Sequence, residues 1–120
     1  MRLHHLALRV ADCERSAAFY GGLLGLPERR RLLDDAGALR AIWLDLDGAV
    51  LMLERVLRAT PEGAAPPAGS AHLLALAVDD LAEWERRLAA AGVAIDDRTP
   101  FTLYARDPDG HRVGLSRFSF

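Results

Sequence analysis

Residues 3 to 10 alternate, with Leu6, Leu8 and Val10 on one face and His5, Ala7 and Arg9 on the other, the period of a half-buried strand. The period then lengthens. Asp12 stands as an N-cap, and Cys13, Ala17, Tyr20 and Leu24 recur at helical spacing until Gly25 and Pro27 stop the helix. Segments 28–33, 39–46 and 49–56 predict three further strands, separated by Asp34-Asp35-Ala36-Gly37 and Asp47-Gly48, both tight-turn sequences. The first unit is therefore βαβββ. Segment 58–70 holds three of the six prolines and no periodicity, which predicts a linker. The order then returns: a strand at 72–78, a helix over Leu81–Ala91 capped by Asp80 with Glu83 three residues on, and a Gly92 stop. Leu81, Trp84, Leu88 and Ala91 form the stripe expected to be buried, while Glu83, Glu85, Arg86 and Arg87 face water. Strands at about 93–98, 101–106 and 111–118 complete the second unit, the last two joined by Asp107-Pro108-Asp109-Gly110.

The two halves match in residues as well as in pattern. His5 to Asp12 corresponds to Leu73 to Asp80, and Asp47-Gly48 with its following strand corresponds to Asp109-Gly110 with Val113 to Leu115. Such a repeat implies paired modules. The expected fold class is α+β: two βαβββ modules, residues 1–57 and 71–120, in one compact domain of curved, cup-like sheets. One helix per four strands covers one sheet face only, so the face of His5 must curl into a cup or pack on a partner.

Composition narrows the function. The chain is 51% hydrophobic and 27% charged, with a net charge of -2 and arginines interleaved with acids, so no basic stripe offers itself to a nucleic acid. Apolar runs break well short of the ~18 residues of a membrane span. The alternation from Leu3 is unlike a signal peptide, and a single cysteine makes no internal disulfide, so a cytoplasmic location is expected.

The His5 strand, the Arg9-Val10-Ala11-Asp12 step into the helix, Phe19-Tyr20 followed by Leu23-Leu24-Gly25-Leu26, and Asp107 to Val113 together resemble the vicinal oxygen chelate superfamily. That group includes glyoxalase I, extradiol dioxygenases, and fosfomycin- and bleomycin-resistance proteins. The resemblance implies that metal-dependent members hold a divalent ion on the first and last strands of each module. The four aligned positions here read His5, Met52, Leu73 and Gly114, and only the first is a donor to such an ion. His72 lies one residue off the Leu73 position and so turns to the other face, as does its twin His4. Glu54 keeps the cup face but lies ~6.6 Å beyond Met52.

Several residues carry two readings each. His5 is a ligand contact or a general base oriented by Glu54, or else a histidine satisfied by a neighbour. Arg9 pairs with Glu54 or binds an anionic ligand group. Trp43 walls the cup for a planar ligand or packs at an interface. Cys13 in the first helical turn is a reactive thiol or, preferably, core packing. His111 begins a strand on the side away from the cup and takes no catalytic role.

The leading expectation is a metal-free binder of a small organic molecule, of the bleomycin-resistance type, whose cup includes His5, Arg9, Trp43, Met52, Glu54, Leu73 and Gly114, with space left at Gly114. The alternative is an isomerase, epimerase, lyase or dioxygenase in which His5 and Glu54 transfer protons or hold a divalent ion such as Ni, Zn, Mn or Fe. A third reading is a dimerising module with a vestigial cup. A homodimer is expected in each case, with neither nucleic acid nor membrane as partner.

Overall fold

The computed structural model describes residues 1–56 and 72–120, so the expected linker at 58–70 lies outside the described residues. The chain divides into two units, each with its own four-stranded sheet. In the first, β1 (His5–Val10), β2 (Glu28–Leu33), β3 (Leu39–Leu46) and β4 (Ala49–Arg55) assemble in the order β1-β4-β3-β2. In the second, β5 (Leu73–Ala77), β6 (Ile95–Arg98), β7 (Thr102–Arg106) and β8 (Arg112–Ser116) assemble as β5-β8-β7-β6. The opening strand of each unit pairs in parallel with the closing one, and the other pairings are antiparallel. Both units are thus βαβββ.

The tight turns follow from local chemistry. Asp47 (φ 48°) and Gly48 (φ 88°) both take positive φ between β3 and β4, the backbone of a two-residue hairpin whose twist matches its strands. At the β7–β8 turn the Asp107 carboxylate, 5% exposed, accepts from the backbone N–H of Asp109 at 2.9 Å and of His111 at 2.8 Å. The aspartate therefore replaces backbone partners that the turn removes.

The first helix departs from expectation. α1 spans only Cys13–Ala17, its Asp12 cap accepting from the Arg15 N–H at 3.1 Å, and the chain continues as π-helix over Ala18–Leu23. The Leu24 N–H donates to the Phe19 carbonyl at 3.0 Å, one residue wider than an α-turn. Gly21 and Gly22 weaken the α-helical preference at this widening. α2 (Leu81–Ala90) is regular, with Asp80 accepting from Ala82 N–H at 2.9 Å and Glu83 N–H at 3.2 Å. Of its expected stripe only Leu88 is fully buried; Leu81 and Trp84 are half-buried, and Ala91, already the C-cap, is exposed.

Each sheet presents one face to its helix and leaves the other open. In the first unit Leu8, Val10, Tyr20, Ile42, Leu44, Leu51 and Leu53 are at most 4% exposed. Each such side chain is worth about 1.5–3 kcal/mol of transfer free energy, so this face holds the sheet to its helix. Cys13 belongs to that core: it is 4% exposed, its Sγ lies 3.5 Å from the Leu53 carbonyl oxygen, and burial pushes its thiol pKa up. The reactive-thiol reading therefore fails, because a desolvated thiol keeps its proton. In the second unit Leu88, Leu103, Val113 and Leu115 are at most 3% exposed.

Candidate functional site

The register of the first sheet aligns its open face in rows. His5 lies opposite Val50, and Val50 opposite Asp45. Ala7 lies opposite Met52, Met52 opposite Trp43, and Trp43 opposite Arg30. Arg9 lies opposite Glu54, and Glu54 opposite Ala41. Arg30 brings its guanidinium carbon to 5.7 Å from the Trp43 ring centroid, so the central row ends in an aromatic ring faced by a cation.

The second sheet repeats the rows with other residues. Ala75 lies opposite Gly114, Gly114 opposite Tyr104, and Tyr104 opposite Asp97. Tyr104 therefore occupies the place that Trp43 holds in the first unit. The Arg112 guanidinium carbon stacks 4.2 Å from the Tyr104 ring centroid, and its Nη2 lies 3.4 Å from Asp97 Oδ2. One row along, the hydroxyls of Thr102 and Ser116 are 2.8 Å apart. They border a cavity of about 340 Å³, also lined by Ala75, Ala77 and the rings of Phe118 and Phe120.

These rows bring some expected residues together and separate others. Met52 and Trp43 are direct cross-strand neighbours, and Arg9 and Glu54 likewise. His5 and Glu54 are not. Glu54 lies four residues beyond Val50, the partner of His5, which is about 13 Å along the strand. A general base and its orienting carboxylate need hydrogen-bond contact, so the His5–Glu54 proton-transfer pair has no geometric basis. The neighbour that His5 does meet is His4, with Nδ1 to Nδ1 at 2.7 Å.

Gly114 also differs from expectation. It is buried, and a Cβ built there would meet Thr102 Cγ2 at 3.4 Å, with Leu73 Cδ1 and Tyr104 Cε1 each at 3.5 Å. Neighbouring side chains close over the glycine, and no open space lies above it. Tyr104, Arg112, Thr102 and Ser116 were absent from the expected site. The repeat carried the signal for Tyr104, since the partner of Gly114 must correspond to the partner of Met52.

Two buried polar atoms, Trp43 Nε1 and Arg112 Nε, have no hydrogen-bond partner among the described residues. Both belong to open-face side chains. A buried unsatisfied donor costs about 1–3 kcal/mol, a cost that an acceptor on a bound molecule would relieve. A different cavity, of about 440 Å³, lies beside the π-helical turn, where Arg31 is already paired with Glu14 and Glu28.

The residues at the four aligned positions do not make a divalent-ion site. They supply one imidazole against the three or four donors such an ion requires, and among the described residues no group of three or more His, Cys, Asp or Glu is placed to hold one. No helix among the described residues is long and apolar enough to cross a membrane.

Two βαβββ units, each with a helix-covered and an open sheet face, define the class of this protein. The profile of the Glyoxalase/Bleomycin resistance protein/Dioxygenase superfamily matches residues 2–115, and the chain belongs to that superfamily. No curated protein matches the sequence. Among solved structures, the fold is similar to a variant of the fosfomycin resistance protein FosX from Listeria monocytogenes, complexed with Mn(II) and 1S,2S-dihydroxypropylphosphonic acid (TM-score 0.79, 18% identity, covering 99% of this chain and 94% of that one). It is also similar to lactoylglutathione lyase from Agrobacterium tumefaciens (TM-score 0.65, 24% identity, 96% and 92% covered). A third similar structure is TioX from Micromonospora sp. ML1 (TM-score 0.71, 22% identity, 98% of each chain). At these identities the likeness is one of fold.

Proposed function

We propose that the protein binds a small organic molecule with a flat body and at least one hydrogen-bond acceptor, on the open face of one sheet or the other and without a metal ion. The observation that carries this reading is the pair of twin positions, Trp43 and Tyr104, each an aromatic ring with an arginine over it. Flat rings offer stacking area at little entropic cost, and the guanidinium groups favour an acidic or electron-rich substituent. On the first sheet the partnerless Trp43 Nε1 supplies a donor; on the second Arg112 Nε does, and the Thr102 and Ser116 hydroxyls add polar contacts beside an apolar wall. The ion-coupled chemistry of metal-dependent superfamily members finds no donor set at the aligned positions, so sequestration is favoured over catalysis. We place this binder in the cytoplasm as a homodimer, consistent with its lone buried cysteine and its exposed Phe101, Phe118 and Phe120.

Thermal shifts with a panel of planar aromatic acids, in buffer containing a chelator, test the reading. Stabilisation is expected from at least one compound, reduced in Trp43→Ala or in Tyr104→Ala. Stabilisation that arises only after a divalent ion is restored would overturn it.

A further inference from the structure

His72 and His111 lie outside every role described above, yet the fold brings them together. β5 and β8 run parallel with Leu73 opposite Arg112, which sets the preceding residues, His72 and His111, side by side at the start of the two strands. His72 Nε2 lies 3.2 Å from His111 Nδ1, with ring centroids 5.4 Å apart and the planes tilted by 50°. Two imidazole nitrogens bound to one ion at about 2.0–2.1 Å, at cis or tetrahedral angles, stand roughly 2.9–3.4 Å from each other. The observed spacing already falls in that range.

The backbone that carries one of the two rings is also held in advance. The His111 N–H donates to the Asp107 carboxylate at 2.8 Å, and its carbonyl accepts from the Asp107 N–H at 2.9 Å, so the backbone carrying this imidazole is fixed on both sides. A ligand whose backbone is ordered before binding lowers the ordering cost of the complex, leaving only side-chain torsions to set. His72 is exposed and His111 half-buried, which leaves water access to the remaining coordination positions.

We propose that His72 and His111 form a two-imidazole site for a divalent transition ion of the copper(II), nickel(II) or zinc(II) kind. Imidazole suits these ions, whereas magnesium and calcium prefer oxygen donors. The site is separate from the aligned superfamily positions: by strand alternation its histidines share the face of Leu74 and Val113, and the open face carries Leu73 and Gly114. With two protein ligands the ion keeps exchangeable water, which suits uptake from solution more than a permanent structural role. The proposal is independent of ligand binding on the open faces, since that binding is measured in chelator.

The test is a copper(II) chloride titration of protein carrying no affinity tag, followed by calorimetry and by electron paramagnetic resonance. A single ion per chain is expected, with hyperfine structure from two nitrogens. Loss even of an outer partner of a metal ligand costs about tenfold in affinity, so His72→Ala and His111→Ala are each expected to weaken binding by more than that. A His4→Ala/His5→Ala double variant is expected to bind as the parent does. Unchanged uptake in both single variants, or loss of uptake in the double variant, overturns the proposal. Melting curves in chelator establish that each variant is folded, and His111→Gln replaces His111→Ala if the latter is not.

Discussion

Gly114 shows how closely one position is fitted. An added methyl would touch Thr102, Leu73 and Tyr104 at 3.4–3.5 Å, which is ordinary contact, so Gly114→Ala is expected to cost less than about 1 kcal/mol in urea unfolding. Gly114→Glu, which restores a donor type at an aligned position, must displace the Tyr104 ring and is expected to cost about 1–3 kcal/mol. A loss no larger than that of Gly114→Ala would show that the cover is not packed. Asp34 gives a pH dependence. Its carboxylate accepts from the Ala38 and Ala36 N–H groups and from Arg55, and these bonds hold its pKa below the ordinary value, the Ala38 bond most strongly. A lowered carboxylate pKa adds stability above the unfolded value of about 3.9, and that stability is lost as pH falls through the folded value. Stability curves between pH 5 and 2 are expected to fall less steeply for Asp34→Asn than for the parent. Which side chains share the open face was legible from alternation for Arg9 and Trp43 and from the resemblance for Met52; Tyr104 carries no motif, and only the repeat points to it.

At the scale of the element, β2 and β3 have the boundaries that turn residues predict, since Asp34 to Gly37 and Asp47-Gly48 fix where strands must stop. The first helix was less legible. Spacing marks Cys13 and Tyr20, but the π-helical stretch shifts the inward face, so Ser16 and Phe19 are buried while Ala17 and Leu24 are half-buried, and Gly21 and Gly22 favour that turn. Nothing lies within 4 Å of a Cβ built on Gly22, and its φ is not positive, so Gly22→Ala is expected to raise stability by about 0.5–1 kcal/mol. At Gly25, with φ of 80°, the same change is expected to lower it. Thermal melts that moved in the same direction would contradict this account of the turn. Register was the other hidden quantity. Alternation assigns His5 and Glu54 to one face, whereas only strand pairing reveals that four residues separate their rows.

For the whole molecule, the internal repeat disclosed the architecture, because two units too small to be secure alone must each follow the same plan. It disclosed less of the chemistry. The aligned positions show what the chain lacks, while the aromatic and arginine pairs meet across neighbouring hairpin strands, where no motif marks them. Trp43 offers a direct reading of the proposed ligand face: in a Trp84→Phe background, its fluorescence is expected to be quenched or shifted on titration with a stabilising aromatic acid. An emission spectrum indifferent to such a compound would remove Trp43 from the binding surface.

The parallel pairing of β1 with β4 has a consequence for how the first unit comes together. Residue His5 finds Val50 only after some 45 intervening positions have been made, whereas β3 and β4 meet across a two-residue turn. Loop-closure entropy favours the nearer partners, so the opening segment is the last piece to lock. Pulse-labelled refolding should find the amides of Leu51 and Leu53 shielded before those of Leu8 and Val10, with the earliest-synthesised part of the unit as its final keystone.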